Sequence, residues 1–142
     1  MRGELASARR LDPEQRSAGI DRLVRWRHWR AVAWCAFCLI GIASILPGSI
    51  EFRTRAPPEL EHVFAYAVTG GIFAVVYGRK GAPLSAALLI VGAVGFELAQ
   101  FWIPGRTPRV VDAACSIAGS MIGLAAGLVL RQAWSKRSRV SE

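Results

Sequence analysis

The chain has 142 residues, of which 53% are hydrophobic, and a formal net charge of +8. Its mean hydropathy is +0.33. This combination is unusual for a soluble globular domain of this size and typical of a membrane protein. The basic, Trp-containing stretch DRLVRWRHWR directly precedes an apolar segment. Such a position predicts contact with membrane headgroups, so no nucleic-acid partner is expected.

Four apolar segments predict four transmembrane helices. They cover roughly residues 31–46, 62–77, 82–103 and 110–130. A bilayer core needs about 20 apolar residues per helix, and no segment shows the alternation of a barrel strand. The predicted fold is all-α, a polytopic bundle of four transmembrane helices (31–131) between a basic juxtamembrane arm (1–30) and a basic tail (132–142).

The distribution of Lys and Arg predicts the orientation of this bundle. With four spans, both termini and the middle loop lie on one side of the membrane, and that side carries most of the 18 basic residues. The positive-inside rule places this side in the cytoplasm. Its arginines are expected to contact the anionic headgroups of membrane lipids on the cytoplasmic face.

Several polar residues fall inside the apolar segments, all in the predicted outer half. Glu97 lies about 9 Å below the end of its helix, and Asp112 about 6 Å inside a helix that starts near Pro108, at about 1.5 Å per residue. Gln100 shares a helix face with Glu97. Ionisable residues are costly in a membrane, which makes Glu97 and Asp112 functional candidates. Because they lie at a similar depth, they are expected to meet.

The connection between the last two predicted helices is short. Pro104-Gly105 predicts a tight turn, and Thr107-Pro108 predicts a helix cap followed by the first helical residue. The two helices therefore form an antiparallel hairpin. Its tip is expected to hold Arg106 above both Glu97 and Asp112.

The last helix carries small residues at intervals of three and four: Ser116, Gly119, Gly123 and Gly127. This stripe predicts close helix packing, and it would allow a homodimer without requiring one. Asp112 lies on the same stripe, so its carboxylate is expected to point into the bundle.

In the second predicted helix, His62 and Tyr66 are four residues apart and share a face. A lone histidine at a helix start is usually an ordinary interfacial residue, but this one lies at the depth of the two carboxylates. Cys35 and Cys38 lie within an apolar helix and are interpreted as packing residues. The sequence predicts no metal site and no cofactor.

The segment ELAQFWIPGRTPRVVDAACSIAGSMIG, with LEHVFAY upstream, resembles the VanZ-like family of small bacterial membrane proteins. The family pattern joins Glu, Gln, an Arg after Pro-Gly, an Asp and a following Asn-x-x-Gly, after an earlier His and Tyr. It falls on His62, Tyr66, Glu97, Gln100, Arg106, Asp112 and Gly119. Ser116 stands where the family usually has Asn, and Pro58-Glu59 stands where many members have Asp-Lys.

The resemblance implies a multi-pass protein of the bacterial inner (cell) membrane. The family is named for a protein linked to low-level resistance to the glycopeptide antibiotic teicoplanin, and most members have no established biochemical activity. A link to antibiotic resistance is therefore an implication of the resemblance and not of the residues.

Three interpretations of the polar residues stay open. In the first, a cell-envelope binding or accessory protein holds an envelope lipid headgroup or lipid-linked glycan in an outer pocket, with Arg106 as an anion clamp. In the second, an intramembrane enzyme acts on such a substrate, with Glu97 or Asp112 as general base and His62 as proton partner. In the third, the charges of Glu97, Arg106 and Asp112 neutralise one another and only stabilise the helical hairpin.

Overall fold

The computed structural model describes the backbone of residues 13–47 and 57–140 and the side chains of residues 27–47 and 57–136. All regular secondary structure in these ranges is helical, which confirms the all-α prediction. The side chains of most of the basic arm, including Arg22 and Arg25, lie outside the described residues.

The described chain forms three α-helices: α1 (Pro13–Ile45), α2 (Pro58–Ala99) and α3 (Val110–Val140). A 3-10 helix, Gln100–Trp102, continues directly from α2. Proline occupies the first position of both α1 and α2. The N–H that proline lacks would have no partner within the helix at this position. α1 begins within the predicted arm and α3 continues into the predicted tail, so both outer helices are longer than their apolar segments.

The number of helices differs from the predicted four, because α2 contains both the second and the third predicted helix. The two are separated by a single non-helical residue, Gly78, with φ 63° and ψ −166°. This region of backbone conformation is almost exclusive to glycine. Helical structure continues on both sides of Gly78, so no separate loop divides α2.

Contacts across the bundle show that the chain reverses its direction at Gly78. The ring of Phe37 lies 6.4 Å from that of Phe73 and 5.6 Å from that of Phe96. A straight helix would separate residues 73 and 96 by about 35 Å. The two segments of α2, here called α2a (58–77) and α2b (79–99), therefore lie side by side.

α2a and α3 pack through their backbones. A Cβ atom added to Gly119, Gly123 or Gly127 would overlap the backbone of α2a. The residues they meet advance along α2a in the same order, from Val63 to Gly71, so the two helices run parallel. The small-residue stripe thus lies against a neighbouring helix within the same chain.

α1 packs on both segments of α2 through aromatic side chains. Trp34 contacts Phe73 edge to face at 5.9 Å, and its Nε1 donates a hydrogen bond of 3.0 Å to the Tyr77 hydroxyl. Phe37 reaches across to Gly92 and Phe96 on α2b. This aromatic cluster joins the three segments because each ring covers a large apolar area.

The outer surface of the bundle is strongly apolar. Three stretches are long and apolar enough to cross a membrane: Arg27–Ile45, Pro58–Trp102 and Val110–Lys136. Large apolar side chains on these stretches are more than half exposed, among them Leu39, Phe64, Leu84, Val91 and Val129. An exposed apolar surface of this extent is that of a membrane protein.

Substitution of Gly78 tests the reversal. Gly78→Ala should destabilise the fold by about 1–3 kcal/mol, because a side chain is strained at this φ and ψ and its Cβ would meet the Arg131 guanidinium. Gly95→Ala is the matched control, since its Cβ would meet nothing within 4 Å and alanine favours the helix. Unfolding in detergent micelles with increasing dodecyl sulfate measures both free energies. Equal stabilities for the two variants would contradict the assigned conformation at Gly78.

Candidate functional site

The described acidic side chains all lie at one end of the bundle, here called the polar end. It is formed where α1 ends, α2a starts, α2b ends and α3 starts. Glu59 and Glu61 lie in the first turn of α2a, Glu97 in the last turn of α2b and Asp112 in the first turn of α3. Residues far apart in sequence meet there because the chain reverses at Gly78 and again after Trp102.

A cavity of about 220 Å³ opens at the polar end. It is lined by Ile40, Ala43, Ser44, Leu46, Glu61, His62, Ala65, Tyr66, Gln100 and Arg106. Four of the six residues predicted for the polar cluster are thus part of one cavity wall. The other two, Glu97 and Asp112, do not line it and are buried at the same end of the bundle, at 8% and 7% exposure.

Arg106 attaches the loop before α3 to the end of α1. Its Nε donates a hydrogen bond of 2.9 Å to the Leu46 carbonyl, and its Nη2 donates one of 2.7 Å to the Ala43 carbonyl. The last carbonyls of a helix lack partners within the helix and carry the negative end of its dipole, so a guanidinium stabilises them. Arg106 therefore holds one wall of the cavity in place.

The loop from α2b to α3 contains the predicted turn but a different helix start. The Arg106 N–H donates to the Ile103 carbonyl at 3.2 Å, and Gly105 has φ 77°, as a tight turn with glycine at its third position requires. The prediction of Thr107-Pro108 as cap and first helical residue is wrong, because α3 begins at Val110. Its first turn closes on the Arg109 carbonyl, which accepts hydrogen bonds from two N–H groups of that turn.

The Glu97 carboxylate connects the end of α2b to the start of α3. Its Oε1 accepts a hydrogen bond of 2.5 Å from the backbone N–H of Arg109. A carboxylate near the N-terminus of a helix is stabilised by the unpaired N–H groups and by the helix dipole. This contact explains how a carboxylate is tolerated near the end of a long apolar helix.

Arg109 pairs with Asp112, one of the two carboxylates that the sequence placed below Arg106, and with Glu59. Its Nη2 is hydrogen-bonded to Glu59 and lies 3.4 Å from the Asp112 Oδ1, which receives no hydrogen bond. The hydrogen bond to the Glu59 carboxylate is the main reason why the pKa of Arg109 is raised. Neither Arg109 nor Glu59 was predicted as a site residue, although the spacing of three between Arg109 and Asp112 indicated a possible pair on one face.

A second polar contact lies deeper, between α2a and α3. His62 Nδ1 and Ser116 Oγ are 3.2 Å apart, and Tyr66 lies close to both Ser116 and Glu97. Tyr66 and Ser116 are each only 2% exposed. Hydrogen-bonding groups thus continue from the cavity into the interior, where an unpaired polar group would be costly.

Comparison of the chain with protein-family models, with curated proteins and with solved structures found no match. Among the described side chains, no group of three or more His, Cys, Asp and Glu is placed to hold a metal ion.

Two substitutions of Glu97 test its link to α3. Glu97→Ala should cost about 1–3 kcal/mol of unfolding free energy, because it removes the acceptor of the Arg109 N–H from a partly buried site. Glu97→Gln keeps a side-chain oxygen in that place and should cost less. Dodecyl sulfate titration of both variants in micelles measures the difference. Equal losses would show that the hydrogen bond to the backbone does not stabilise the fold.

Proposed function

We propose that this chain is a four-pass protein of the bacterial inner membrane whose cavity, on the outer side, binds the polar group of an envelope lipid. The observation that carries the proposal is the cavity itself, where donors, acceptors and apolar side chains from three helical segments and a loop surround one space. Such concave sites with a few convergent polar groups are where small ligands usually bind.

The length of α2 supports two membrane passes for this helix. The apolar stretch Pro58–Trp102 has 45 residues, which as helix amount to about 68 Å, more than twice the hydrocarbon core of about 30 Å. The reversal at Gly78 divides it into two segments that are each close to the length of one span. With one pass each for α1 and α3, the proposed topology has four passes and both termini on one side.

The charges of the described side chains support cytoplasmic termini. The end of the bundle opposite the polar end, here called the basic end, carries no acidic residue among the described side chains. Its basic residues are Arg27, Arg30, Arg79, Lys80, Arg131 and Lys136. The positive-inside rule assigns this end to the cytoplasm, so the polar end and its cavity face outward.

The size and chemistry of the cavity limit the ligand. A volume of about 220 Å³ lies below the roughly 300–1,000 Å³ of most small-ligand pockets. One phosphate or one sugar ring fits, whereas a whole glycopeptide is far too large. Glu61, His62, Gln100 and Arg106 supply both donors and acceptors, and Ile40 supplies an apolar wall. A lipid headgroup or the first sugar of a lipid-linked glycan is the proposed ligand.

Membership of the VanZ-like family is part of this proposal. It is supported by the positions that the residues of the family pattern occupy in the structure. Four of its residues line the cavity, and Glu97 and Asp112 are buried at the same end of the bundle. Ser116, which replaces the usual Asn, still reaches His62. Glu59, at a position where many members have Lys, is paired with Arg109.

The contact between His62 and Ser116 is the observation that favours an intramembrane enzyme as a second candidate. A hydroxyl within hydrogen-bonding reach of an imidazole is the arrangement of an activated nucleophile. Ser116 is only 2% exposed and does not line the cavity, however, so a ligand there would meet His62 first. A His62→Gln variant that still binds lipid but no longer converts it would favour the enzyme.

Cysteine labelling tests the orientation. In a chain whose three native cysteines are alanine, Thr107→Cys should react with a membrane-impermeant maleimide from outside intact spheroplasts, because the polar end faces outward. Ser135→Cys, at a position that is also exposed but at the other end, should react only after permeabilisation. Labelling of both from the same side would contradict the four-pass topology.

Native mass spectrometry tests the cavity. The wild type purified from bacterial inner membrane should retain an envelope lipid, identified by fragmentation, that Arg106→Ala and Ala65→Phe lose. The first variant removes a polar group of the cavity and the second fills it. Ala114→Phe is the matched control, because Ala114 is exposed on the first turns of α3 and does not line the cavity. Retention of the same lipids by all four proteins would overturn the proposed site.

A further inference from the structure

A second cavity lies on the outer surface of the bundle, between α2a and α3, and is here called the α2a–α3 groove. Its volume is about 520 Å³. All of its lining side chains are apolar or glycine, and the indole of Trp29 stands at one end. Gly71 and Gly127 belong to its floor, and Phe64 and Ile122 to its rims. No part of the polar-end cavity belongs to this groove.

The dimensions of the groove match one acyl chain. The glycines bring the two backbones close together, whereas the larger side chains beside them stand out, which leaves a channel along the contact. From Phe64 to Val76 the groove extends about 18 Å along α2a. One leaflet of a bilayer contributes about half of the 30 Å hydrocarbon core, so the groove is about as long as one leaflet is thick.

The groove ends among basic side chains. Arg131 Nη1 donates hydrogen bonds of 2.7 and 3.2 Å to the carbonyls of Val75 and Val76, both of which line the groove. Trp29, at this end, is followed by Arg30, whose guanidinium lies 5.7 Å from the centre of the Tyr77 ring. An anionic lipid has a negatively charged phosphate next to an apolar acyl chain. The groove complements it with basic side chains next to an apolar channel.

We propose that the α2a–α3 groove binds one anionic phospholipid of the inner leaflet, with an acyl chain on the glycine floor and the phosphate at Arg131. A second copy of the chain fits this surface less well. Two parallel copies in one membrane would bring two basic ends together, and like charges repel there. The assignment to the inner leaflet rests on the proposed orientation, whereas binding in the groove does not depend on the polar-end cavity, because the two share no lining residue.

The experiment is a titration of the full chain in detergent with phosphatidylglycerol and, separately, with phosphatidylcholine, followed by native mass spectrometry. The wild type should bind one phosphatidylglycerol about tenfold more tightly than phosphatidylcholine, a difference of about 1.4 kcal/mol. Ala126→Trp should fill the groove and remove this preference. Ala125→Trp is the matched control, because the Ala125 side chain is also exposed and lies outside the groove.

Two further variants make the outcome decisive. Val68→Trp, at a groove position that is 46% exposed, should also weaken phosphatidylglycerol binding, and circular dichroism verifies that each variant remains helical. Arg131→Gln should reduce the preference for phosphatidylglycerol over phosphatidylcholine. Equal binding by wild type, Ala126→Trp and Ala125→Trp would overturn the proposal. A wild-type mass of two chains that Ala126→Trp reduces to one would also overturn it, because the groove would then be an interface between copies.

Discussion

The reversal of the chain at Gly78 is the constraint on which the polar end depends. It places Gln100 beside His62, although 38 positions separate them and a continuous helix would hold them about 57 Å apart. It also allows Phe37 of α1 to contact both segments of α2. Only glycine readily adopts this conformation, so one residue without a side chain determines which helix ends meet.

Charge is sorted along the bundle in a way that follows from the cost of ions in a membrane. The buried carboxylates lie at helix ends, where Glu97 accepts an N–H of the α3 start and Asp112 lies near a guanidinium. Arginines at both ends of the bundle bind helix carbonyls: Arg106 binds those of α1, and Arg131 those of α2a. Glu97 and the two arginines are therefore paired with backbone groups that lack partners within their own helices.

The helical fold, the Pro104-Gly105 turn and six residues of the polar end were predicted from local composition and spacing, whereas Glu59 and Arg109 were not. Two features could not be predicted in this way. Gly78 and the adjacent Arg79-Lys80 look like a short loop, and nothing local shows that one residue suffices for the reversal. The contacts of Arg106 with the Ala43 and Leu46 carbonyls depend on where α1 ends, and they join residues about sixty positions apart in sequence.

A distance between spin labels at Leu60 and Phe101 tests the central claim most directly. Both side chains are exposed, at 59% and 69%, and lie near opposite ends of the same apolar stretch. In a chain whose native cysteines are alanine, cysteines at these positions should give a distance on the order of 20 Å in a bilayer, because neighbouring helices are about 10 Å apart and each label adds its own length. A distance of about 60 Å, as in an unbroken helix, would contradict the reversal and with it the cavity.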